Sequence, residues 1–163
     1  MEHDHVKEML ELTMEQVQDE GEKRFFKQLL TLRLKECFEN GTYHVVYHRD
    51  ELAAFIRWEW NKDEAVLGAV LIRDTYRGQG YLEKLWERFI ELCKQREVTR
   101  VVSYAEKDDS LNLSFHDYLG FRLAEEQDAE KYKWVYHMKE NPEFQISGRS
   151  LPWLNLPDIN GEL

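Results

Sequence analysis

The chain has 163 residues, of which 42% are hydrophobic and 33% charged, with a formal net charge of −10. That length suits one domain with a real core. The acidic balance excludes a general nucleic-acid binder, which needs a basic footprint, and an anionic membrane surface as partner.

The first five residues show no leader pattern, and no apolar run reaches transmembrane length. Val6, Met9, Leu10 and Leu12 fit either the start of a long helix or a short strand. Residues 14–39 carry helical periodicity through Phe25, Phe26, Leu29, Leu30, Leu32, Leu34 and Phe38, with Asn40-Gly41 as a stop. Thr13 with Gln16 matches a capping box, which predicts a helix start near Met14, and Gly21 is a candidate break. Strands are predicted at 43–47, 52–60 and 64–72, joined by turns at 48–51 and 61–63. A helix follows to about residue 97, then a strand at 99–105 and a short helix at 110–119 stopped by Gly120. Residues 121–124 and 132–138 read as closing strands. This order predicts an α/β (α+β) fold with a mixed, mostly antiparallel central sheet flanked by helices. The helix at 81–97 joins its two strands as a right-handed crossover would, which makes that pair parallel.

Residues 1–140 are expected to form a single domain. Residues 141–163 hold all three prolines and read as an irregular C-terminal extension. Its Leu151-Pro152-Trp153-Leu154 stretch is apolar enough to pack on its own domain or on the partner subunit of a homodimer. Cys37 and Cys93 lie far apart and outside metal-like spacing, so they read as reduced thiols in a cytoplasmic protein. The histidines show no ligand spacing, and no metal site is expected.

The segment from Val66 to Leu92 carries the chemistry. An apolar strand ends at a polar turn, and Arg77-Gly78-Gln79-Gly80 opens a helix. A strand feeding a glycine loop at a helix N-terminus makes a backbone-built anion site, because first-turn N–H groups lack helical partners and the dipole favours negative charge.

This loop, Arg77-Gly78-Gln79-Gly80-Tyr81-Leu82, resembles the cofactor loop of the GNAT N-acetyltransferase superfamily. A second stretch, from Asp109 through His116 to Leu119-Gly120-Phe121, resembles that superfamily's late helix. Together they cover the family-like region of roughly residues 42–138. The resemblance implies an acetyl-CoA site, with backbone groups of Val70, Leu71 and Ile72 on the pantetheine arm. Amides of Arg77, Gly78, Gln79, Gly80, Tyr81 and Leu82 would hold the pyrophosphate. It implies acetyl transfer from acetyl-CoA to a primary amine, of a small molecule or a peptide. A non-catalytic acyl-CoA-binding module is the alternative.

The resemblance also marks a departure. Many members carry a glutamate partway along the strand before the loop, and here that position is Gly68. With 61–63 as the turn, Trp60 would pair with Glu64 and Trp58 with Val66. Trp58, Trp60, Glu64, Val66 and Gly68 would then share a face, with Glu59 on the other. Glu64 lies roughly 13 Å along the strand from Gly68, within reach of a water relay. Glu64 and Glu59 are the candidate bases, and a bulge at Gly68 would reverse the parity. His116 stands where many members have a tyrosine acid, with Tyr118 and Tyr104 in reserve. A structural histidine is the competing reading for His116. Trp58 and Trp60 would line an acceptor pocket or sit in the core beneath the N-terminal helices.

Overall fold

The computed structural model describes residues 3–16, 20–106, 110–126 and 131–140. Its helices are α1 (His5–Glu15), α2 (Glu20–Asn40), α3 (Tyr81–Gln95) and α4 (Ser110–Leu119), with a 3₁₀ turn at Asp74–Tyr76. Its strands are β1 (Tyr43–His48), β2 (Glu51–Asn61), β3 (Glu64–Ile72), β4 (Arg100–Glu106), β5 (Arg122–Glu126) and β6 (Lys131–His137). They form one sheet in the order β1-β2-β3-β4-β6-β5. Every neighbouring pair is antiparallel except β3–β4, the pair that α3 connects. The mixed, mostly antiparallel sheet and the parallel β3–β4 pair are as the sequence predicts.

Strand alternation gives the sheet two apolar faces. Ile56, Trp58, Ala65 and Leu67 pack against Leu85, Trp86 and Phe89 of α3, with Tyr118 and Leu119 of α4 in the same cluster. On the opposite face Leu52 and Phe55 pack against Met9 and Leu12 of α1 and Leu30 and Leu34 of α2. Among the described residues no helix is long and apolar enough to cross a membrane.

The N-terminal region differs from expectation. Residues 6–12 are helical, and α1 is capped by Asp4, whose side chain accepts from the Lys7 amide at 3.1 Å. Thr13 is no cap: its hydroxyl donates to the Met9 carbonyl at 2.8 Å within α1. Helix α1 ends at Glu15, and α2, from Glu20 to Asn40, runs through Gly21. Asn40-Gly41 does end α2. Gly41 is left-handed, at φ +69°, and the Thr42 amide closes on the Cys37 carbonyl at 3.0 Å. Glu97 takes the corresponding place after α3 at φ +61°, and there the Val98 amide reaches the Cys93 carbonyl.

The β2–β3 hairpin corrects the expected register. Its turn is Lys62-Asp63 alone, with Lys62 left-handed at φ +58°, so Asn61 pairs with Glu64. Trp60 therefore faces Ala65 and Trp58 faces Leu67, one residue along from the expected partners. Arg57 pairs with Ala69 immediately next, which leaves Gly68 as the extra residue of a bulge. The bulge reverses side-chain parity. Ala65 and Leu67 face α3 before it, whereas Val70 and Ile72 do so after it. The C-terminal extension at 141–163 lies outside the described residues.

Candidate active site

β3 and β4 pair at Glu64↔Arg100, Ala65↔Val101 and Val66↔Val102, and then part. Beyond that point, from Leu67 to Ile72, the β3 edge pairs with β2 alone. Val70, Leu71 and Ile72 thus present backbone groups along an open edge that an extended chain can join. Gly68 lies where the two strands separate.

The β3 strand ends in a braced loop. The Arg73 amide donates to the Ala53 carbonyl at 2.8 Å, and its guanidinium reaches the Leu52 carbonyl and Glu15. Arg77 pairs with Asp74 at 2.9 Å. His48 stacks on Tyr76 at 4.7 Å and bonds the Tyr81 hydroxyl at 2.8 Å, while Tyr76 donates to Glu51. These contacts tie the loop to the β1–β2 turn.

Gly80 is the N-cap of α3, left-handed at φ +89°, and supplies no side-chain cap. The first helical bond is Lys84 N–H to the Gly80 carbonyl, so the amides ahead of Lys84 belong to the uncapped turn. A Cβ on Gly80 would meet nothing within 4 Å, which leaves the space above this helix end open. Leu82 is buried in the α3 core. The loop residues Arg77 to Leu82 and the open edge of Val70 to Ile72 therefore stand together.

The other expected site residues are partly dispersed. Trp58 and Trp60 lie on the α3 face: Trp58 is 1% exposed against Phe89, and Arg96 covers the Trp60 ring at 4.6 Å. This corrects both their pairing with the Gly68 face and their placement under the N-terminal helices. Trp58 belongs to the core cluster between the sheet and α3. Glu59 pairs with Val66 and so shares the face of Glu64 and Gly68, contrary to the expected alternation. Glu64 is ion-paired with Arg100 at the far end of β3, whereas Glu59 is exposed.

His116 is 1% exposed, and its Nε2 lies 2.7 Å from the Ser103 hydroxyl. Its ring stacks on Trp134. Ser103 is the first residue of β4 past the stretch paired with β3, so the pair borders the gap. Tyr118 is buried and its hydroxyl donates to Glu83 on α3, while Tyr104 is exposed.

Sequence reasoning missed Arg57. A side chain at position 68 would begin 2.7 Å from Arg57 Nη1 and 3.3 Å from its Cζ. The guanidinium thus covers Gly68, where a carboxylate was sought. The available signal was a lone charge in the apolar run from Leu52 to Trp58.

The sequence profile of the Acetyltransferase (GNAT) family matches residues 6–121. The chain belongs to this family. It is therefore an acyltransferase with acetyl-CoA as co-substrate. Its fold is similar to that of PaiA N-acetyltransferase from Thermoplasma acidophilum, solved with coenzyme A, at TM-score 0.68 and 15% identity over 81% of this chain and 92% of that one. A Pyrococcus horikoshii OT3 protein is similar at TM-score 0.69 and 12% identity, over 84% of this chain and 92% of the other. No curated protein matches the chain in sequence.

Proposed function

We propose that this acyltransferase is an N-acetyltransferase acting on a primary amine, of a small molecule or a peptide. The observation that carries the reading is the uncapped, glycine-built start of α3 beside a β3 edge that has parted from β4. Those features fit acetyl-CoA. The open space at Gly80 admits a phosphate against backbone N–H groups of Gly78, Gln79, Gly80, Tyr81 and Leu82, whereas the Arg77 amide donates to the Asp74 carbonyl at 3.3 Å. The β3 edge at Val70, Leu71 and Ile72 accepts the amide-bearing arm as an added strand. Bound there, the co-substrate supplies an activated acetyl carbon and a thiolate leaving group.

The amine must attack in its neutral form, forming the N–C bond as the C–S bond breaks. Glu59 is the exposed carboxylate on the same face, diagonal to Gly68 across the β2–β3 pair, and receives the amine's proton through water. Glu64, held by Arg100, is the weaker candidate. On the thiolate side, Ser103 donates with His116 behind it, their 2.7 Å bond forming a proton route from the core to the gap. Tyr118 is committed to Glu83 and positions α4 on α3.

Calorimetry with acetyl-CoA, followed by a CoA-release assay over a panel of amines, tests the proposal. Binding with amine-dependent release is expected. Absence of binding at high micromolar acetyl-CoA would sink the donor site, and binding without release on any amine would sink the amine reading.

A further inference from the structure

The acceptor class follows from Arg57, on the strength of the N-acetyltransferase reading above. We infer that the acceptor amine carries a carboxylate, as an amino acid does, and that Arg57 is the residue that selects it.

The sheet register places the guanidinium. Arg57 pairs with Ala69 beside the Gly68 bulge, on the face away from α3. Its Nη1 and Cζ fill the volume that a side chain at position 68 would occupy. The cation therefore lies at the point where β3 and β4 separate, directly beside the acyl transfer position of the proposed site.

The guanidinium also lacks a counter-charge. Its Nε is buried with no hydrogen-bond partner, and no ion pair joins it to a carboxylate among the described residues. The Cys37 thiol on α2 is a weak acceptor beside it, and Arg33 on the same helix adds charge of the same sign. Glu59 attracts it only weakly from two residues along β2. Burial, the largest influence, pulls the Arg57 pKa down. A half-buried arginine whose Nε has no partner, and whose one side-chain partner among the described residues is a weakly accepting thiol, is suited to receive an anion, and its planar fork matches a carboxylate in two parallel bonds.

The neighbouring acid completes the fit. Arg57 and Glu59 share a face and stand about 7 Å apart along β2. A zwitterionic amino acid spans that interval, with its carboxylate on Arg57 and its amine turned toward Glu59. A polyamine or other wholly cationic acceptor would meet the guanidinium with like charge and be excluded.

The test compares amino acids with their decarboxylated amines and with aminoalkyl phosphates, in the CoA-release assay on the full chain. Wild type should favour the amino acid over its decarboxylated partner by roughly ten- to hundredfold in kcat/KM, the range expected of a charged hydrogen bond. Arg57→Met should raise KM for amino acids by the same factor, with a much smaller change for the decarboxylated amines. Arg57→Lys, which keeps the charge and loses the fork, should fall between. Calorimetry should show acetyl-CoA affinity unaltered in both variants. Equal or greater kcat/KM on decarboxylated amines, preference for aminoalkyl phosphates, or parallel losses on all acceptors in Arg57→Met would each overturn the inference. Acetyl-CoA binding with turnover on decarboxylated amines alone would overturn it and leave the N-acetyltransferase reading standing. Absence of acetyl-CoA binding would remove both.

Discussion

Gly80 and Gly41 permit a controlled test of the phosphate cradle. Both are left-handed, at φ +89° and +69°, and a Cβ on either would meet nothing within 4 Å. Alanine at either position therefore clashes with no neighbour and pays only backbone strain, about 1–2 kcal/mol. For a chain of this size that lowers Tm by roughly 2–8 °C. The two variants should be equally destabilised. They should differ in binding, because Gly41 closes α2 whereas the Gly80 methyl projects into the open space above the first turn of α3. Loss of one close charged contact there costs about 2 kcal/mol, roughly thirtyfold in Kd for acetyl-CoA. Gly41→Ala should bind as wild type does. Differential scanning calorimetry and isothermal titration on the three proteins decide the matter. Unchanged acetyl-CoA affinity in a folded, strained Gly80→Ala protein would refute the argument that this space receives the pyrophosphate.

Glu97 sits at φ +61° where glycine is at ease. Glu97→Gly should stabilise the protein by about 0.5–1 kcal/mol, the strain relieved less the added freedom of the unfolded chain, and denaturant midpoints check this. Burial pushes the Cys93 thiol up from 9.0 to about 12. Above pH 9 the unfolded chain therefore sheds this proton before the folded one does, and stability falls as pH rises toward 12. Cys93→Ala should show a shallower alkaline fall in urea titrations, and parallel curves would discount the effect. His116→Phe keeps a ring against Trp134 but strips Ser103 of its partner. It should lower kcat far more than acetyl-CoA affinity, with loss of the limb of the pH–rate profile that reports the acid. An unchanged profile would leave His116 a purely structural role.

Most elements were legible because their punctuation is chemical. Asn40-Gly41 and Gly120 stop helices where glycine takes a left-handed φ, and the glycine loop at Gly78 and Gly80 opens α3. The facing of the candidate site residues was not legible, and the cause is one residue of register. Nothing in Asn61-Lys62-Asp63 announces that Lys62 will be left-handed, since lysine carries no local preference for that region. The two-residue turn it makes moves both tryptophans to the α3 face and brings Glu59 to the face of Gly68. At the N-terminus, Thr13 had the sequence of a cap but not its position, because α1 had already begun after Asp4. Local signals fix ends and turns, whereas facing and register depend on how two strands meet.

Arg57 shows why that distinction matters for function. Trp58 beside it also has an unpartnered buried ring nitrogen, but its indole packs on Phe89 and Trp60 and repays the loss through apolar contact. The Arg57 Nε belongs instead to a charged group. A buried, unsatisfied donor costs about 1–3 kcal/mol, and a methionine of similar length would fill the same space without that penalty. Arg57→Met should therefore raise thermal stability while it lowers turnover of amino acids. A residue that breaks the rules of the core beside a glycine bulge, where two strands part, is best explained by what enters the gap. The missing carboxylate at position 68 and the cation that covers it are then one feature. Glycine at 68 makes room for the arginine, and on the inference above the arginine holds the acceptor's carboxylate while Glu59 takes the proton of its amine.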